Sequence, residues 1–204
     1  MSEPWVIKLG GSFWSASELP RCLDRLAGCN VVLVPGGGVF ADAVRLAQKR
    51  WEFDDQLAHA MAISAMAQYG QMLLGLCDQL TSARRIDELT KMVVLGKTVV
   101  WLPDSDDMPG DGLGASWDVT SDSLSLWLAG QIGAQRLLLI KSITLSASFR
   151  SVGNLVEAGT VDHALPDLLE ATPIEVWVCG SNQLGSLEAG LVSPGDFFTR
   201  VGQD

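Results

Sequence analysis

The sequence predicts an α/β protein, a three-layer α/β/α sandwich around a mainly parallel open sheet, and three observations predict it. Short apolar runs recur along the chain, helical patterns separate them, and glycine clusters close the first two runs. Apolar runs without alternation suit strands covered on both faces, which is the habit of parallel sheets. Strand, helix, strand in this order winds helices onto both faces of such a sheet.

The first run, 5–9 (WVIKL), ends at Gly10-Gly11, and a helical pattern follows over 17–27. The second, 31–34 (VVLV), ends at Pro35-Gly36-Gly37-Gly38 and leads into a helix over 39–51 that carries Asp42 and Arg45. The segment 54–83 reads as a long helix, apolar on more than one face (Leu57, Met61, Ile63, Met66, Tyr69, Leu73). Such a helix is buried on several sides. It faces another subunit, or forms a central core helix, or breaks into two near Gly70 or Gly75. A third run, 97–102 (KTVVWL), ends at Pro103, and 104–114 (DSDDMPGDGLG) is a loop by its Asp and Gly content. The helix expected over 121–133 can be capped by Thr120 or Ser121, with Asp122 favouring the positive end of its dipole. The run 137–140 (LLLI) leads into Lys141, a helix is expected over 164–171, 174–179 (IEVWVC) stops at Gly180, and 182–189 is helical.

Length and composition set outer bounds. The 204 residues suit one domain over 1–204, and 48% apolar content can fill a normal core. A net charge of −10 argues against nucleic acid as a partner, because backbone phosphates need a basic face. A single nucleotide can still be held by a few local cations and N–H groups. The four cysteines are scattered without a C-x-x-C pair, so neither a disulfide framework nor a zinc site is expected. The start, Met1-Ser2-Glu3-Pro4, has no basic region followed by an apolar stretch, and no run of about twenty apolar residues occurs. The expectation is a cytoplasmic protein with no membrane partner.

The chemistry-bearing residues stand where strands end, which is where open α/β sheets bind ligands. Lys8 lies inside an apolar run, where an unpaired ammonium is costly to bury. It is followed at once by Gly10-Gly11-Ser12, whose N–H groups can cradle phosphate oxygens. The spacing is not that of a Walker A loop. Gly36, Gly37 and Gly38 form a second anion-binding turn at the start of a helix. Two such turns on neighbouring strand ends suit two phosphates lying end to end. Capping accounts for one polar residue in Ser116-Trp117-Asp118-Val119-Thr120-Ser121-Asp122-Ser123, not for all of them. Asp118 and Asp122 suit orienting a lysine, binding an acceptor or holding Mg²⁺ through water. Lys141 repeats the position of Lys8 at another strand end.

Together these segments resemble the amino acid kinase family, which shares a carbamate kinase-like fold. The resemblance rests on Lys8 to Ser12 (K-x-G-G-S), on the turn Gly36 to Gly38, on the helix start Thr120-Ser121-Asp122 and on the strand ending in Lys141. It implies ATP-dependent phosphoryl transfer with Mg-ATP, magnesium arriving on the nucleotide without direct protein ligands. It implies Lys8, Asp122 and Lys141 as the catalytic group, with Asp122 orienting the lysines. Lys8, Gly10, Gly11, Ser12, Gly37 and Lys141 would contact the phosphates. Two family elements are absent: Ile143-Thr144-Leu145-Ser146 replaces a D-G-V-Y-like segment, and no G-G-M-x-x-K element follows.

The stretches V-P-G-G-G-V-F-A-D-A-V-R, A-H-A-M-A-I and S-W-D-V-T-S-D-S resemble a branch from methanogens and methylotrophs. Its acceptor, in methanofuran biosynthesis, is a phosphate monoester with a flat ring and an amine. For such an acceptor Arg45 would attract the phosphate, Trp117 would pack on the ring and Asp118 would pair with the amine. Gly36, Gly37, Gly38, His59 and Thr120 would complete its site. A homo-oligomer built on the 54–83 helix is the expected assembly. The competing readings are an isopentenyl phosphate or uridylate kinase-like enzyme, and a non-catalytic nucleotide- or oxyanion-binding relative.

Overall fold

The computed structural model describes residues 4–108, 114–145 and 151–202. Among the described residues seven strands form one sheet: β1 (Trp5–Leu9), β2 (Val31–Pro35), β3 (Thr81–Ala83), β4 (Val99–Trp101), β5 (Arg136–Ile140), β6 (Glu175–Cys179) and β7 (Thr199–Arg200). Their order is β3-β4-β2-β1-β5-β6-β7, and every pairing is parallel except β6 with β7. From the central β1 the chain first builds one side of the sheet, then returns to β5 and builds the other. That reversal opens a crevice beyond the carboxyl ends of β1, β2 and β5.

The helices among the described residues are α1 (Leu19–Leu26), α2 (Gly38–Trp51), α3 (Asp55–Leu76), α4 (Ile86–Val94), α5 (Ser121–Gln131), α6 (Val152–Glu157), α7 (Leu165–Ala171), α8 (Leu187–Val192) and α9 (Pro194–Phe197). Single 3₁₀ turns occupy Gly11–Ser15, Ser105–Asp107 and Ser181–Ser186. Because successive strand residues face opposite sides, the core divides by parity. Val6, Val32, Val34, Leu137 and Leu139 pack in one layer with Leu124 and Leu128 of α5. Ile7, Leu9, Leu33, Leu138 and Ile140 pack in the other with Leu23 of α1 and Tyr69 and Leu73 of α3. Lys8 has the parity of Val6, so the side chain of Lys8 enters the α5 layer.

The long helical reading of 54–83 is corrected at its end. Helix α3 starts at the cap Asp54, whose Oδ1 accepts from the Leu57 N–H at 2.8 Å, runs unbroken past Gly70 and Gly75, and stops at Leu76. Residues 81–83 instead form β3 beside β4. Thr-Ser-Ala has no apolar period of its own, so a partner eighteen residues away defines this strand. The apolar faces of α3 have an intrachain cause. Ile63 and Met66 join the first core layer, Ala67, Tyr69 and Leu73 the second, and Ala58 and Ala65 a third cluster with Ala41 and Val44 of α2.

Helices α4, α6 and α9 and strand β7 were not anticipated, and the helix expected over 182–189 is a 3₁₀ turn followed by α8. Of the expected loop 104–114, residues 104–108 carry a 3₁₀ turn, while 109–113 lie outside the described residues, as do Met1-Ser2-Glu3 and Ser146.

The two glycine turns touch each other. A Cβ on Gly11 would sit 2.2 Å from the Gly38 nitrogen, and one on Gly36 would sit 2.3 Å from the Gly11 nitrogen. Gly38 also has φ +52°, a left-handed conformation that glycine adopts without strain. Here backbone meets backbone, and no side chain can rotate away. Gly11→Ala should therefore destabilise the fold by about 2 kcal/mol or more, as overpacking does. Gly75→Ala, with nothing within 4 Å of its Cβ, should leave stability equal or higher. Chemical denaturation of the two variants side by side checks this contrast.

Candidate active site

Register places the charged groups. Lys8 of β1 lies opposite Leu139 of β5, and Lys141 follows two residues later with the same parity. Both side chains therefore enter the layer that holds the start of α5. There Lys8 Nζ lies 2.9 Å from Asp122 Oδ1, and Lys141 Nζ lies 2.8 Å from each oxygen of the same carboxylate. The three residues are 6%, 7% and 4% exposed for Lys8, Lys141 and Asp122, so solvent screens them little.

The cluster is unbalanced, with two ammonium groups on one carboxylate. Burial by itself would raise the Asp122 carboxyl, yet Lys141 and Lys8 hold it down at about 2. Lys141 moves the other way. Burial lowers it from 10.5 to about 8, with Asp122 opposing the shift and the charge of Lys8 adding to it. Near neutral pH the buried group thus carries a net positive charge, which an anion would offset.

The glycine turns supply donors unequally. The Gly10 N–H is given to Ile140 O at 3.2 Å and the Gly36 N–H to Leu9 O at 2.9 Å, so both extend the sheet. Gly10 therefore shapes the turn and does not offer its N–H to a phosphate. Gly11 and Ser12 open a 3₁₀ turn, and Gly37 and Gly38 open α2. At such positions N–H groups have no partner within the helix. Ser12 Oγ is 2.7 Å from Ser142 Oγ, which ties the β1 turn to the residue after Lys141.

Beside these turns lies a cleft of about 390 Å³. Gly11, Ser12, Gly37, Gly38, Arg45, His59, Trp117 and Thr120 line it, together with Asp42 and Ser121. Lys8, Asp122 and Lys141 are not part of this wall, which includes Ser121, the residue before Asp122. Arg45 stacks over the Trp117 ring at 4.2 Å and pairs with Asp42 at 2.9 Å. Gln48 Oε1 accepts from Trp117 Nε1 at 2.7 Å, while Gln48 Nε2 donates to Asp55 Oδ1 at 2.8 Å, fixing the indole. His59 is half-buried. Burial lowers its pKa, against a hydrogen bond to the Ser116 backbone. Asp118 and Gly36 stand apart from the wall: the Asp118 side chain is exposed, and its carbonyl accepts from the Ala164 N–H at 3.1 Å.

Thr120 is the N-cap residue of α5, but its side chain makes no cap bond. The cap comes from elsewhere. Asp162 Oδ2 accepts from the Thr120 N–H at 2.8 Å, from Thr120 Oγ1 at 2.8 Å and from the Ser123 N–H at 3.1 Å. Asp162, Asp42 and Gln48 are the site residues that sequence reasoning missed. An acid three residues before a helix was a visible signal for Asp162, though only for capping α7.

The fold defines the class, a doubly wound α/β protein with its crevice at the carboxyl ends of a parallel sheet. Residues 3–144 match the amino acid kinase family, and the chain belongs to that family. The [5-(aminomethyl)furan-3-yl]methyl phosphate kinase of Methanocaldococcus jannaschii is 28% identical over 142 residues, 68% of this chain and 65% of that protein. The match thus spans just under two thirds of that relative's length. UMP kinase from Ureaplasma parvum superposes with a TM-score of 0.68 at 16% identity, covering 99% of this chain and 100% of that one. Carbamate kinase from Giardia lamblia, bound to AMP-PNP, gives 0.63 at 13% identity, covering 100% and 99%. At these identities the two structures show the fold alone.

The cluster sets a pH dependence of stability. Below about pH 8 Lys141 is protonated in both states, and the folded protein bears the cost of burying that charge. Between about 8 and 10.5 the folded state has released the proton and the unfolded state keeps it, so stability rises with pH in that window. Lys141→Met should accordingly be more stable than the parent at pH 7, by up to about 3 kcal/mol. The gap should close towards pH 10. Urea unfolding at several pH values measures it, and a parent more stable than the variant at pH 7 contradicts the assignment.

Proposed function

We propose that this chain is an ATP-dependent kinase that phosphorylates a small phosphate monoester. The acceptor that fits best is [5-(aminomethyl)furan-3-yl]methyl phosphate, giving its diphosphate in methanofuran-type cofactor biosynthesis. The observation that carries the reading is the buried cluster of Lys8 and Lys141 on Asp122, net positive and built at the strand ends where the glycine turns begin. Phosphoryl transfer needs positioning and charge stabilisation more than covalent help from the protein.

In this reading the phosphates of ATP and acceptor meet at the turns, where Gly11, Ser12, Gly37 and Gly38 offer N–H groups. An acceptor phosphate oxygen, already anionic at neutral pH, attacks the γ-phosphorus in line, and the bond to the departing ADP oxygen breaks. No general base is required. Lys8 and Lys141 offset charge on the migrating group, and Asp122 keeps their ammonium groups aimed together. Among the described residues no three His, Cys, Asp or Glu side chains converge on a metal position, and Asp122 is engaged by both lysines. Mg²⁺ would be carried by the phosphates of ATP and would neutralise charge there.

The cleft wall supports the acceptor class. Arg45 suits its phosphate, and Trp117, which lines the cleft, suits a flat ring. Asp42, which lines the wall, is a better partner for an amine than Asp118, which does not. An acceptor whose only polar group is its phosphate would leave Asp42 without a partner of its own. The chain is read as one domain over 1–204. Leu46 and Trp51 of α2 with Leu57 and Met61 of α3 are exposed and suit burial against a second copy. No helix of the described residues is long and apolar enough to cross a membrane, which is compatible with a cytoplasmic enzyme.

Mass-detected phosphorylation with Mg-ATP tests the proposal against three acceptors: the aminomethylfuran phosphate, UMP and isopentenyl phosphate. The furan ester should gain one phosphoryl group with matching ADP release. Lys8→Ala should lower that turnover at least about a hundredfold, as loss of a transition-state donor does. Binding of ATP or an oxyanion without phosphorylation of any acceptor would instead identify a storage or regulatory protein.

A further inference from the structure

Asp162 lies beyond the residues that match the family, yet it reaches back to the start of α5. It is 8% exposed, and its carboxylate accepts hydrogen bonds from five donors. Oδ2 takes the Thr120 N–H, the Thr120 hydroxyl and the Ser123 N–H, as described above. Oδ1 takes the Ser123 hydroxyl and, at 3.0 Å, the Leu165 N–H of α7. One side chain therefore caps α5 and α7 together. A second tie, from the Ala164 N–H to Asp118 O at 3.1 Å, holds the same two segments side by side.

The placement of these bonds matters more than their number. Thr120 is the N-cap of α5 and Ser123 its third residue, so Asp162 grips the backbone on both sides of Asp122. A helix start usually supplies its own capping oxygen. Here the acid within the first turn is occupied by two lysines, and the cap is delegated to a carboxylate from a distant segment. Thr120, on the cleft wall, is anchored through the same group.

We infer that Asp162 is a positioning residue: by clamping the first turn of α5 it holds the Asp122 carboxylate between Lys8 and Lys141 and fixes Thr120 on the cleft wall. It touches no reacting atom and acts through Asp122. Lys8 is held by the pairing of β1, and Lys141, just after β5, by its N–H bond to Cys179 O at 2.8 Å, neither of which involves Asp162. When it is loosened, the carboxylate withdraws and the two ammonium groups, still side by side, are left facing each other.

The test uses a readout that a plain helix cap would not move. The chain has five lysines (Lys8, Lys49, Lys91, Lys97 and Lys141), so [¹³Cε]lysine labelling gives a short spectrum in which Lys141→Met assigns the key signal. In Asp162→Asn the Lys141 titration midpoint should fall by at least about 0.5 unit, because the neighbouring anion is weakened while Lys8 remains. Acceptor phosphorylation should fall at least about tenfold in kcat, with the KM for ATP changed less than about threefold. A folded Asp162→Asn protein with an unchanged Lys141 midpoint would reduce Asp162 to a cap and overturn the inference. Should that variant not fold, Ser123→Ala, which removes one hydroxyl donor and keeps all three N–H bonds, carries the test. It should shift the midpoint in the same direction by a smaller amount, and no shift would overturn the inference. Only the turnover arm rests on the kinase reading. A parent protein that phosphorylates no acceptor would sink that reading while the titration still decides the role of Asp162.

Discussion

Two buried ammonium groups sharing one carboxylate are the constraint around which this structure is arranged. Taking charges out of water is expensive, and a group left with net charge is more expensive still. The architecture bears that cost by fixing each member on a different rigid element. Lys8 stands on the central strand, Lys141 directly follows its neighbour, and Asp122 lies in the first turn of a helix covering both. Equal parity on β1 and β5 brings the two lysines into one layer. A design aimed at stability alone would place leucines there. A charged cluster retained at the end of a central strand fits a site where fold stability is given up for ligand affinity.

The glycines serve the same end through close packing. Gly11 and Gly36 are required because their turns press backbone against backbone, a contact that no larger residue allows. That proximity narrows the space between the ends of β1 and β2 and brings two helix-like first turns side by side, each with N–H groups unpartnered within its helix. The cleft next to them is lined differently, by a stacked arginine and indole held by Gln48, Asp42 and Asp55. Backbone N–H groups without a helical partner on one side and a ring-and-charge wall on the other divide the crevice into two chemically distinct parts.

Much of this was legible from residue order. The buried strands announced themselves as unbroken apolar runs, because a strand covered on both faces has no polar position to alternate with. Lys8 and Lys141 were conspicuous because charges beside such runs need partners, and Asp122 because capping does not account for every polar residue of 116–123. Legibility failed where the defining interaction was distant. Residues 81–83 become a strand only through β4, and the helical period upstream carried the reading of α3 too far. Gly10 looked like a phosphate donor until its N–H was seen bonded to Ile140. Asp118 looked like a site acid but does not line the cleft, while Asp42 of α2 does.

What the sequence by itself determined is the doubly wound α/β class and the presence of cationic, glycine-rich strand ends, since both follow from local pattern and from the cost of burying charge. What only the tertiary structure decided is which groups meet. Strand register put both lysines on one carboxylate, chain reversal put β5 and Lys141 beside β1, and a carboxylate forty residues downstream of Asp122 came to hold its helix. Pairing of this kind depends on how elements stack in three dimensions, and no spacing along the chain encodes it.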